Sequence, residues 1–157
     1  MTVTPEQALD INFLKAHCQR IYFFGLGFIQ IKLNEQFRVH VYTNKLPSTQ
    51  TVEEIHNHRY DFNSSILKGT LIQELYEVVR TPFGGMIVTK ETCNPDNKCE
   101  FPKEICDIQY LTNQKFCKGS SYFIKHNTFH RVYSKDAITL LSRGPYEKDE
   151  AEVVYPR

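Results

Sequence analysis

Tryptophan is absent from this 157-residue chain, and methionine occurs only twice. A surplus of charge is missing too: 19 basic and 18 acidic side chains leave a formal net charge of +1. A balance so near zero projects no broad positive field, which argues against nucleic acid or an anionic membrane as partner. No apolar run approaches the ~20 residues of a transmembrane helix. The opening residues Met-Thr-Val-Thr-Pro-Glu-Gln lack the basic and apolar regions of a secretory signal, so a cytoplasmic location is expected. No repeat, low-complexity tract or linker breaks the chain, and residues 1–157 are expected as a single domain with one core. Five cysteines, an odd number, fit reduced thiols in that compartment. The spacing of Cys93, Cys99 and Cys106 lacks the Cys-x2–4-Cys pattern of structural zinc sites. A Cys93–Cys99 loop disulfide is expected only under oxidising conditions.

What the chain has instead is a succession of short, alternating segments. Thr4 ahead of Pro5-Glu6-Gln7 reads as a helix N-cap with proline at the first helical position. Ala8, Ile11, Leu14, Lys15 and Cys18 follow at helical spacing and predict one amphipathic helix over about 5–19, packed on the outside. From 20 to 43 the chain turns aromatic and β-branched, with period-two alternation over 28–33 and 37–42 and a turn at Asn34-Glu35-Gln36. Gly25-x-Gly27 lacks the continuation of a phosphate loop and reads as a bend or bulge. Further strands are predicted over 70–79, 86–92, 103–124 with a turn at Lys118-Gly119, 136–142 and 150–155. An irregular insertion covers 93–102. Short strands with turn signals every 8–12 residues argue an all-β sandwich or barrel.

Two histidines one residue apart, His56 and His58, precede Tyr60, Phe62, Ile66 and Leu67. On an extended chain residues i and i+2 share a face, about 7 Å apart at Cα, so both imidazoles reach one metal ion. On a helix they would diverge by about 200°. A third histidine, His130, lies in Lys125-His126-Asn127-Thr128-Phe129-His130. Neutral imidazole is the commonest protein metal ligand, and three of them leave open positions for water, dioxygen or substrate.

His-x-His followed by Gly69, with Gly119 eleven residues before His130, resembles the two signature motifs of the cupin superfamily. The resemblance implies a small cupin-type β-barrel (jelly roll) after the N-terminal helix, with the helix at about 5–19 and the barrel over 20–157. It implies His56, His58 and His130 as metal ligands. Asn63 stands where the family has a glutamate ligand, and Lys125 and Asn127 stand where the second motif has proline and glycine. Three-histidine cupins resemble the cysteine dioxygenase type of thiol dioxygenase, through His58 with Leu-Lys-Gly-Thr-Leu-Ile-Gln-Glu-Leu-Tyr and His130-Arg-Val with Ala-Ile-Thr-Leu-Leu-Ser-Arg-Gly-Pro. That family's Ser-x-His-x-Tyr group falls near Ile138, Leu140 and Ser142, where nothing matches. Its carboxylate-gripping arginine has no clear counterpart in 20–45, and Asn63 occupies the place of its crosslinking cysteine.

The resemblance therefore implies a metal-dependent oxidoreductase, a non-haem Fe(II) dioxygenase acting on a small polar or anionic molecule. Nickel, zinc and manganese remain open as the metal. Three neutral ligands leave a divalent ion formally +2, which favours an anionic substrate. Candidate pocket residues are Tyr60, Asn63, Lys125, His126 and Arg143, the last at the end of a strand leading from the ligands. Arg59 and Arg131 are further basic residues near the expected mouth. Asp61 reads as a turn residue or an ion-pair partner of Arg59 or Lys68 rather than a ligand. His17 and His40 have no partner in sequence, although an inward position is open to His40. Two other readings stand beside the enzyme: a non-catalytic cupin that sequesters a small ligand, and a sugar-nucleotide isomerase or epimerase. The last needs a His–Asp pair and a tyrosine acid. Cupins pair through strand edges, so a homodimer is an expectation of the resemblance.

Overall fold

Two short capped helices open the chain. The computed structural model describes residues 1–23, 26–47, 55–91 and 103–157. Helix α1 spans Pro5–Ala8, with Thr4 and Gln7 forming a reciprocal capping box. Helix α2 spans Ile11–His17. The single helix expected over 5–19 is divided because Asp10 recaps the chain: its carboxylate accepts from Asn12 N at 2.9 Å and Phe13 N at 3.4 Å. Ile11, taken from its spacing as part of the apolar face, is 60% exposed, whereas Ala8 and Leu14 are buried.

Among the described residues eleven strands follow. They are β1 (Arg20–Phe23), β2 (Phe28–Lys32), β3 (Phe37–Tyr42), β4 (Tyr60–Lys68), β5 (Thr70–Arg80) and β6 (Met86–Glu91). Then come β7 (Glu104–Cys117), β8 (Ser121–Ile124), β9 (Phe129–Tyr133), β10 (Ile138–Tyr146) and β11 (Ala151–Pro156). Strand β9, which carries His130, was not among the predicted strands, having no Gly or Pro at either end. The hairpin β2–β3 forms where alternation places it, and its turn is tied by Asn34 Oδ1 accepting from Gln36 N and Phe37 N, each at 2.8 Å. Between β4 and β5 the chain reverses at Gly69, with φ of 72°. A Cβ there would stand 2.8 Å from the Asp136 carbonyl oxygen, so only glycine fits. Gly27, at φ 80°, bends the chain between β1 and β2. The 93–102 insertion and Gly25 lie outside the described residues.

The strands pair antiparallel into a six-stranded sheet, β1-β2-β3-β10-β4-β8, and a five-stranded sheet, β11-β6-β7-β5-β9. Among the described residues the strand pairings build two antiparallel sheets. The all-β class stands, and among the described residues no helix is long and apolar enough to cross a membrane.

The six-stranded sheet is covered on both sides. Its outer face presents Ile31, Val39 and Leu140, which pack under Val3, Ala8 and Leu14 of the N-terminal segment. Its inner face presents Ile66, Phe62 and Leu141, which meet Leu71 and Leu75 of the second sheet. Cross-strand register makes the division strict. Val39 lies opposite Ile31 and Leu140, while Arg38 lies opposite Leu141 and His40 opposite Thr139. Directly paired residues share a face, so Arg38 and His40 point inward.

Candidate metal centre

Residues 55–58 cross from one sheet to the other. His56 exchanges backbone hydrogen bonds with His130, 3.1 and 2.9 Å, which joins it to β9. On its other side Asn57 N donates to Glu152 O at 3.0 Å and Val154 N donates to Ile55 O at 3.0 Å, which joins the same segment to β11. The chain then enters β4 at Tyr60. The histidine segment is thus held between two strand edges before it reaches the first sheet. Asn57, the residue between the two histidines, is 1% exposed. Its side chain donates to Glu152 Oε1 at 3.1 Å and accepts from Glu152 N at 2.7 Å. With Asn57 turned away, His56 and His58 share the opposite side, as an extended chain requires.

The structure brings His56, His58 and His130 together, with one ring nitrogen of each within 4.8 Å of the others. His58 Nε2 and His130 Nε2 are 2.9 Å apart. Two imidazoles at adjacent corners of a six-coordinate ion, with bonds of about 2.1 Å, stand about 3.0 Å apart. Burial holds the His58 and His130 rings well below the ordinary imidazole pKa, reinforced at His58 by His56 and His130 and at His130 by His56. Both rings are therefore neutral and offer lone pairs. The donor set fits a divalent transition ion.

Around this cluster the inner surface is aromatic, then cationic. Phe62 packs edge-on to His58 at 4.8 Å and reaches His130 at 6.0 Å, centroid to centroid. Tyr60 lies 5.7 Å from His58. Two guanidiniums sit over Tyr60, Arg38 at 5.6 Å and Arg143 at 5.2 Å. Arg38 is 7% exposed. Among the described residues its hydrogen bond is a 3.4 Å contact to the Glu35 carbonyl, and no carboxylate lies within ion-pair reach. Arg143 donates to Gly144 O at 2.9 Å and to Glu35 Oε2 at 3.2 Å, while its Nε is buried without a partner among the described residues. Beside Arg38, His40 Nε2 lies 2.9 Å from Gln30 Oε1. Burial, then the Arg38 charge, pushes the His40 pKa down to about 3.

Of the other residues expected at the pocket, Tyr60 and Arg143 lie on the inner face. Asn63 does not. It pairs with Ser142 and the exposed Phe123 on the outer face and is itself exposed. Side chains alternate along β4, so the residue turned inward at that point is Phe62, and an apolar ring occupies the place where the cupin pattern has a carboxylate. Likewise Ile138 and Leu140 belong to the outer core, and the inward members of β10 are Thr139, Leu141 and Arg143.

Lys125 is exposed at a cleft of about 460 Å³ between β7 and β8 that reaches inward to Gln73. His126 caps the end of β4: its backbone N and its Nδ1 each lie 2.7 Å from Asp61 Oδ1. Asp61 is therefore paired with His126, not with Arg59 or Lys68. These hydrogen bonds, backbone first, lower the Asp61 pKa. Asp61 alternates with Tyr60 and Phe62, so this His–Asp pair projects from the face away from the three imidazoles. Arg131 is engaged by Glu74 at 2.8 Å from Nε, and Arg59 covers Tyr146 at 4.6 Å.

Sequence reasoning missed two inward residues. Arg38 alternates with Phe37 and Val39, and the polar side of such a strand reads as solvent-facing. Gln73 on β5, 1% exposed, carries its Oε1 2.8 Å from His130 Nδ1. A lone glutamine between Ile72 and Glu74 gives no signal in sequence.

No protein-family model matches the chain, and no curated protein matches it. Among solved structures, the chain is similar to the hydroquinone 1,2-dioxygenase PnpCD in complex with Cd2+ and 4-hydroxybenzonitrile. That likeness has a TM-score of 0.42 at 11% identity, over 93% of this chain and 79% of the other. It is also similar to the hydroquinone 1,2-dioxygenase from Sphingomonas sp. TTNP3 with 4-hydroxybenzoate bound, at a TM-score of 0.37 and 9% identity, over 70% and 60%.

Proposed function

We propose that the chain is a metal-binding cupin that oxidises a small anionic molecule with dioxygen, using His56, His58 and His130 to hold Fe(II). The observation that carries this reading is the convergence of three imidazoles, two of them held neutral by desolvation, beside an inner surface that carries the guanidiniums of Arg38 and Arg143. A bound ferrous ion would supply open coordination positions and relay electrons from the substrate to dioxygen. In a dioxygenation both oxygen atoms enter the substrate, so no external reductant is consumed.

The side chains divide the remaining work. Arg38 and Arg143 bind the anionic group: each guanidinium is nearly buried, and a buried cation gains most from a charged partner. Tyr60 lies between those cations and His58 and sets how far the substrate extends toward the imidazoles. Phe62 excludes water from the far side of His58. The neutral ligand set leaves the ion's full charge facing the anion, so the substrate is attracted from both ends. The aromatic and cationic surface does not require a thiol, and the substrate class is a small anion.

The isomerase reading requires a His–Asp pair facing the pocket, and the pair present, His126–Asp61, faces the other way. Non-catalytic ligand binding, with or without a metal, uses the same cations and is separated from the dioxygenase by the absence of dioxygen consumption. Elemental analysis of the purified protein and of His58→Ala tests the proposal. Near-stoichiometric iron lost in the variant supports it. Nickel, zinc or manganese lost in the same way keeps the site, removes the Fe(II) assignment and leaves the chemistry open. No metal in either protein after anaerobic Fe(II) loading sinks the three-histidine centre.

A further inference from the structure

Gln73 is an amide in the middle of an apolar surface. It lies on β5 between the inward-facing Leu71 and Leu75, and it is 1% exposed. Burying an unpaired amide costs free energy, so its two ends must find partners. They do so in opposite directions. Gln73 Oε1 stands 2.8 Å from His130 Nδ1, and Gln73 Nε2 donates to Gln114 Oε1 at 3.1 Å across the β5–β7 ladder, where Gln73 and Gln114 are direct register partners. The His130 ring is itself 2% exposed and carried on β9, where it pairs with Leu75.

A carbonyl oxygen only accepts, so the contact places the His130 proton on Nδ1. The lone pair then lies on Nε2, the nitrogen 2.9 Å from His58 Nε2. We propose that Gln73 is the positioning residue of the metal centre, selecting the Nδ1–H tautomer of His130 and fixing its ring plane, with Gln114 holding the amide in the required sense. The proposal rests on the three-histidine reading. A neutral imidazole has one proton for two nitrogens, and without an acceptor at Nδ1 the proton is free to occupy the coordinating nitrogen. The Gln73 Nε2 to Gln114 Oε1 hydrogen bond goes with the sense of the amide in which its oxygen faces Nδ1. Gln114 is exposed, so the outer end of this chain of hydrogen bonds opens to the cleft beside β8.

Two measurements test the role, one without any metal. Nitrogen-15 NMR of histidine-labelled protein reads which ring nitrogen of His130 bears the proton. Wild type and Gln73→Glu, which keeps an acceptor in place, are expected to show Nδ1–H, and Gln73→Leu a mixture of tautomers. Co(II) titration followed by visible absorption then reads the site. Gln73→Leu is expected to weaken binding about 10–100-fold, Gln73→Glu to restore it, and Gln114→Ala to weaken it less than Gln73→Leu does. A general packing role predicts no such rescue by glutamate. Wild-type His130 protonated on Nε2 overturns the proposal without any variant, so it stays testable should Gln73→Leu fail to fold. Wild-type Co(II) affinity in a folded Gln73→Leu overturns it as well. A wild type that shows the Nδ1–H tautomer but binds no Co(II) removes the metal centre while the tautomer assignment stands.

Discussion

The two faces of the six-stranded sheet are made by the same strands and do different things. On the outer face Ile29, Ile31, Val39, Leu140 and Leu67 form an apolar layer closed by the N-terminal helices. One residue along each strand, the inner face carries Arg38, His40, Thr139, Arg143, Tyr60 and Ser64. In a sheet with one face in water, the apolar side would be the core and the polar side the surface. Here the helices occupy the apolar side, so the polar side is enclosed by the second sheet and becomes the wall of the site. The outer face is apolar packing alone, whereas the inner face combines the packing of Phe62, Ile66 and Leu141 with the polar side chains beside the histidines.

That division breaks most visibly if an outer-face truncation disturbs the metal centre. Leu33→Ala removes a side chain 2% exposed in the outer core. It is expected to lower unfolding free energy by about 2–5 kcal/mol, read by urea denaturation, with Co(II) affinity of the folded protein unchanged. A parallel fall in affinity would mean that the faces are energetically one unit.

Acid sharpens the comparison from the inner side. Burial, then Arg38, holds His40 at a pKa of about 3, against an ordinary value of 6.5. Between those values the unfolded chain takes up a proton that the folded protein refuses. Stability is therefore full above pH 6.5 and falls as pH drops toward 3, with a slope of at most about 1.4 kcal/mol per pH unit for each such proton. His58 and His130, shifted in the same direction, steepen it in the metal-free protein. Urea midpoints at pH 7 and pH 5 should differ less for His40→Gln than for wild type, whereas Leu33→Ala should keep the wild-type difference.

The smallest effect on folding is expected at Arg38, and it is the most discriminating. Among the described residues its buried charge has no carboxylate partner, so Arg38→Met should leave the metal-free protein as stable as wild type or more so. Sulfate, as a probe anion, should raise the melting temperature of wild type and lose that effect in Arg38→Met. A strongly destabilised Arg38→Met, insensitive to sulfate in both forms, would make Arg38 a structural residue.

Much of this arrangement was legible in the sequence. Alternation locates the β2–β3 hairpin, Gly69 marks the reversal into β5, and His-x-His with His130 points to one cluster. The failures share a cause. Period-two patterning tells which residues share a face but not what covers that face. Arg38 was therefore not recognised as lining the interior, and Asn63, assigned by motif alignment, falls on the exposed face because it is odd in phase with Tyr60 and Phe62. The helix break at Asp10 was available as a capping signal but was outweighed by the apolar spacing around it.

Local chemistry in the sequence determined the strands, their turns and the side shared by His56 and His58, because alternation and turn preference act over a few residues. Only tertiary structure decided that the helices take the apolar face, that Asn57 and Glu152 hold the histidine segment between β9 and β11, and that Gln73 meets His130. Each of those contacts joins residues far apart in the chain, and its geometry is set by strand register between sheets rather than by any single segment.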